Sequence, residues 1–82
     1  MSTSLEWALE TILDELDLIV DERDHARGIV RTEAARLAGR KAMEPKLRAV
    51  ITNEDVAKQF QAAGPEQLRA AVRRMYESKL FN

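Results

Sequence analysis

No glycine or proline occurs before Gly28, and across that stretch Leu5, Leu9, Ile12, Leu13, Leu16, Ile19 and Val20 recur at helical spacing. An apolar side chain every three or four residues lines one face of an α-helix. With neither helix breaker present, the chain has little choice but to form one. Thr3 followed three residues later by Glu6 is a capping-box pair, so the helix is predicted to start at residue 4.

Where that helix ends admits two arrangements. In one, a single helix runs from 4 to 41, kinked at Gly28. In the other, the chain reverses near Asp21 to His25 and lays Arg27, Arg31, Arg36 and Arg40 back along the first segment. The region 21–27 holds no good turn residue, which favours the single helix. Continuing the apolar register gives Arg23, Ala26, Val30, Glu33 and Leu37, a seam weakened by Arg and Glu.

Gly39 and the Glu44-Pro45 step are expected to close this region. The residue before proline is pushed out of α geometry, and Pro45 suits the first position of a new short helix over 45–51. Thr52 with Asp55 reads as the next N-cap, with Ile51 and Val56 as a hydrophobic staple. That helix is predicted to reach Ala62, with Val56, Ala57 and Phe60 inward. Gly64-Pro65 then starts a last helix whose buried stripe is Leu68, Val72, Met75, Tyr76 and Leu80. The expected fold is all-α: a long N-terminal helix and two or three shorter ones, a small helical bundle completed by dimerisation. It is read as one domain over 1–82, with 45–81 as a short-helix subdomain.

At 82 residues, with no cysteine and one histidine, the chain has neither disulfides nor the ligands of a structural zinc site. A chain this short buries only about 60% of the surface its unfolded form exposes. Self-association is the cheapest remaining way to enlarge the core, so a homo-oligomer is expected. No apolar run approaches the roughly 20 residues that span a bilayer. The expectation is a cytoplasmic protein with no membrane contact.

Charge is distributed unevenly. Residues 1–24 carry eight acids and one base, residues 25–48 seven bases and two acids, and the net charge is only −1. Six of the acids, Glu6, Glu10, Asp14, Asp17, Asp21 and Asp24, fall on one side of the first helix. Like charges at this spacing destabilise an isolated helix by a few tenths of a kcal/mol per pair, so cations must offset them. Either the arginines of the same chain do so, or a partner with a basic surface does. Trp7 and Leu18 lie away from the Leu/Ile stripe and on the same side as each other, joined by His25 and Ile29 if the helix continues. They either cover the C-terminal helices or form a second apolar face, Trp7, Leu18 and Ile29 being the anchors.

Within Ile51 to Phe81, Val56, Ala57 and Phe60 followed by Leu68, Val72, Met75 and Leu80 resemble a helix-turn-helix with a winged-helix flavour. The resemblance implies a second helix reading the DNA major groove, with Gln67, Arg69, Arg73 and Arg74 on its exposed side. The turn is one residue longer than usual, and residues 49–82 carry five bases against four acids, little for a DNA binder. Leu13-Asp14, Arg23, Gly39, Glu44-Pro45 and Arg48 are similar to the all-helical chorismate mutases. That family needs a lysine about three turns after the first-helix arginine, and this chain has Glu33, Ala34 and Ala35 there, so the cation that carries the chemistry is missing. Asp14 and Asp17 have no second cluster of ligands to complete a Mg²⁺ site, and His25 has no nucleophile partner. The reading is a non-enzymatic interaction module without cofactor: an inhibitor, adaptor or assembly factor, in the style of a phage or bacterial accessory protein. The alternative is a small helix-turn-helix-like DNA-binding regulator.

Overall fold

The computed structural model describes residues 3–78 and contains four helices: α1 (Ser4–Ala26), α2 (Glu33–Val50), α3 (Glu54–Ala62) and α4 (Pro65–Glu77). Among the described residues there is no strand, so the protein is all-α. α1 is the central element, and α2, α3 and α4 each pack against it. Its stripe of Ala8, Leu9, Ile12, Leu13, Leu16 and Ile19 meets Leu47, Ile51, Ala57, Leu68 and Val72 in one core. Met43, Val56, Phe60, Met75 and Tyr76 pack around that core half-buried. Leu80, expected in the buried stripe of α4, lies outside the described residues.

The helix start at Ser4 is as expected: the Thr3 side chain accepts a hydrogen bond from the Glu6 N–H at 3.1 Å. The single helix over 4–41 is not formed. α1 stops at Ala26, and α2 returns antiparallel to it after a connection through residues 27–32. The stop is a Schellman motif. Gly28 adopts φ +71°, the left-handed conformation that glycine tolerates best, the Gly28 N–H donates to the His25 carbonyl at 3.1 Å, and the Ile29 N–H donates to the Asp24 carbonyl at 2.8 Å. Thr32 then caps α2 by accepting from the Ala35 N–H. Gly28 therefore reverses the chain rather than kinking a helix.

Pro45 also behaves differently from the expectation. No new helix begins there; α2 runs straight through it, so the boundary at 45 falls inside one helix. An interior proline costs about 3 kcal/mol. Continuing the helix seats Leu47, which has no exposed surface, and carries the chain to the buried Ile51, and each of these burials is worth about 2 kcal/mol. The cap of α3 sits one residue later than expected: the Asn53 side chain, not Thr52, accepts from the Val56 N–H at 3.0 Å. Asparagine is the stronger N-cap of the two. α4 starts at Pro65 as the Gly64-Pro65 step predicts.

α3 is tied to the start of α1 by polar contacts as well as by Ala57. The Leu5 N–H, one of the donors left free at the start of any helix, donates to Glu54 Oε1 at 3.2 Å, and Ser4 Oγ donates to Gln61 Oε1 at 3.1 Å.

Candidate interaction surfaces

The chain reversal brings the arginines of the basic middle onto the acidic face of α1, in antiparallel order. Arg40 Nη1 stands 2.7 Å from Asp14 Oδ1 and 3.4 Å from Asp17 Oδ2. Arg36 Nη2 lies 3.1 Å from Asp21 Oδ1, and Arg31 Nη2 donates to the same oxygen at 2.6 Å. Arg31 Nε is also 3.1 Å from Asp24 Oδ2. The hydrogen bond from Arg31, with the nearby positive charge of Arg36, holds the Asp21 carboxyl below its usual range. The same pairing raises the Arg31 guanidinium, and the bond to Asp14 raises that of Arg40. Arg27, the fourth arginine of the reversal, caps α1 with its backbone and has no ion pair among the described residues.

Asp24 is the one buried charged residue among those described, at 5% exposure. Two arginines grip it: Arg31 from the connection, and Arg23 from its own helix, whose Nη2 is 3.2 Å from Oδ1. Arg23 also donates to the Tyr76 hydroxyl, with its guanidinium carbon 6.0 Å from the ring centroid. One carboxylate thus links α1, the connection and, through Arg23, α4.

The six-carboxylate ladder is consequently divided. Asp14, Asp17, Asp21 and Asp24 are paired within the chain, whereas Glu6 and Glu10 have no ion pair among the described residues. These two glutamates line a groove of about 310 Å³ between α1 and α2, with Leu9, Leu13, Arg40, Glu44 and Arg48. The Glu44–Arg48 pair, at 2.9 Å, closes one side of it.

The residues expected to read DNA do not share one surface. Arg69 Nε is 3.5 Å from Glu15 Oε2, and Arg73 Nη2 is 3.3 Å from Glu22 Oε2, so both lean onto α1. Gln67 and Arg74 instead line a groove between α3 and α4 with Phe60, Ala63 and Leu68. Glu15 and Glu22, which lie off the six-carboxylate face, are the counter-charges. No local spacing announces them: Glu15 and Glu22 are seven residues apart and Arg69 and Arg73 four, so the pairing depends on how α4 crosses α1.

Trp7 and Leu18 lie toward α4. Trp7 borders a hollow with Gln61, Ala63, Pro65 and Leu68, and Leu18 borders another with Ile19, Arg69 and Arg73. The two side chains border the junction of α1 with α3 and α4, and Trp7 is 37% and Leu18 52% exposed. Ile29 is separated from them by the end of α1 and is 50% exposed in the connection, beside Val30 at 94%. His25 is exposed near Ile29. Among the described residues no group of His, Asp and Glu is placed to hold a metal ion, and no helix is long and apolar enough to cross a membrane. Comparison with known protein families, with curated proteins and with solved structures returns no match for this chain.

Proposed function

We propose that this chain is a non-enzymatic protein–protein interaction module, an inhibitor, adaptor or assembly factor of the kind used by phage and bacteria. The observation that carries the reading is the exposure of large apolar side chains on an otherwise well-packed helical unit. Trp7 and Leu18 are half-open on α1 although Leu9, Ile12 and Leu16 beside them are fully packed. Tryptophan is among the side chains most enriched as anchors of a recognition surface, and Leu18 adds apolar area beside it. The unpaired Glu6 and Glu10 supply the acidic component, one turn apart on the same helix, and favour a partner with a basic surface.

This narrows the acidic surface to its first third. Asp14, Asp17, Asp21 and Asp24 serve the fold, since a basic partner would have to displace arginines already seated on them. The DNA-binding reading has less support, because Arg69 and Arg73 each face a carboxylate of α1. Cross-linking in an extract of the source cell tests the proposal with three proteins: wild type, Leu18→Lys and Glu10→Lys. The expected result is a captured protein whose recovery falls in both variants while their helical circular dichroism is unchanged. Equal recovery from all three would remove the surface assigned here.

A further inference from the structure

We propose that the groove between α3 and α4 is a second docking site, and that its occupant is an acidic amphipathic helix of a partner protein. That helix lays its apolar side chains between Phe60 and Leu68 and brings a carboxylate to Arg74. None of Glu6, Glu10, Trp7 or Leu18 lines this groove, so it is distinct from the surface assigned on α1.

The groove exists because α3 and α4 are each seated on α1 rather than on one another. Ala57 and Phe60 hold α3 to the core, and Leu68 and Val72 hold α4. Between the two helices the backbone is extended at Ala63 and Gly64. The space left is about 470 Å³, within the usual range of binding sites. Its walls are the half-buried Phe60, the buried Leu68, and the short side chains of Ala63, Ala70 and Ala71. Alanine has no atom beyond Cβ, so these three leave room for large side chains of an incoming helix. Apolar residues three and four apart on such a helix share one face, which is how a helix seats in a groove of this kind.

Charge decides which helix fits. The groove at Glu6 and the hollows beside Trp7, Leu18 and Ile29 are each lined by at least one carboxylate. The groove between α3 and α4 is lined by none, and its polar groups are Gln59, Gln67 and Arg74. Arg69 and Arg73 of the same helix are each matched by a glutamate of α1. Arg74 pairs with no carboxylate among the described residues. A guanidinium can hold a carboxylate through two parallel hydrogen bonds, and apolar walls beside it shield that pair from water. A basic segment is repelled from the same place. A nucleic acid needs a row of cations, whereas a lone arginine suits a lone carboxylate.

The test is selection of random peptides displayed on phage against the purified protein, followed by titration of the enriched peptides. Enriched sequences are expected to carry aspartate or glutamate together with large apolar residues three and four positions apart. Arg74→Ala should weaken their binding roughly tenfold, the loss of one charge-assisted hydrogen bond. Arg74→Glu should reverse the preference toward basic sequences, and Ala71→Trp, which fills the groove, should abolish binding with helical circular dichroism unchanged. The proposal is overturned if the library yields no binder or only basic ones. It is equally overturned if acidic peptides bind wild type, Arg74→Glu and Ala71→Trp alike. A wild-type dimer that Ala71→Trp dissociates would put a second copy in the groove and overturn it too. Should Ala71→Trp fail to fold, Arg74→Glu, a change at an exposed position, decides.

Discussion

Arg31 places one guanidinium nitrogen 2.6 Å from Asp21 and another 3.1 Å from Asp24, so a single side chain of the connection clamps two successive turns of α1. The clamp fastens the connection to the last turns of α1. With Arg36 on Asp21 and Arg40 on Asp14 and Asp17, it pairs four of the six carboxylates on that face of α1.

Loss of Asp24 should be felt well beyond its own contacts. Asp24→Asn keeps the shape but removes the charge from between Arg23 and Arg31, both of which touch it in a site with little access to water. The expected cost is about 2 kcal/mol, the penalty for leaving a buried polar group poorly matched. Urea unfolding should show a lower midpoint with an unchanged m-value. An unaltered midpoint would mean that Arg31 is held by Asp21 alone.

Acidification should loosen the reversal in a defined direction. The carboxyl of Asp21 is lowered in the folded state, so it contributes stability that is present above the ordinary aspartate range, about 3.9, and is lost as pH falls through the lower folded value. The raised Arg31 and Arg40 titrate far above neutrality and add no dependence there. Thermal unfolding from pH 7 to pH 2 should show a stability loss below about pH 4 that is smaller in Asp21→Asn.

α2 should be sensitive at one end and indifferent at the other. Leu47 has no exposed surface and Leu37 is 61% exposed. Leu47→Ala is expected to cost about 2–5 kcal/mol, and Leu37→Ala to stay within about 0.5 kcal/mol, by denaturant titration. Comparable losses at both positions would contradict this placement of α2.

Gly39 sits in the interior of α2, where a Cβ would meet only the tip of the Arg31 side chain at 3.7 Å. Contact at that distance is ordinary, so Gly39→Ala should raise stability by about 0.5–1 kcal/mol through helix propensity. A higher Tm checks it. A fall in Tm would show that Arg31 needs the space.

Much of the architecture was legible because it rests on local rules. The stripe from Leu5 to Val20, the cap at Thr3 and the Gly64-Pro65 start of α4 are each written within a few residues, as are the side chains that became the core. The reversal at Gly28 is not announced by any turn residue between 21 and 27, because a Schellman cap needs its glycine just after the helix rather than before it. The local penalty of Pro45 is real and points to a helix boundary, and only the burial of Leu47 and Ile51, which depends on α1 being opposite, outweighs it.

The sequence by itself determined where α1 and α4 begin and which of their faces are apolar, since helix periodicity and capping act over four residues or fewer. Tertiary structure alone decided which charges remain unspent. Asp14 and Glu10 are the same chemistry one turn apart, yet Arg40 reaches the first and leaves the second open. That difference comes from where α2 returns along α1, a relation between residues 26 apart for which no local rule exists.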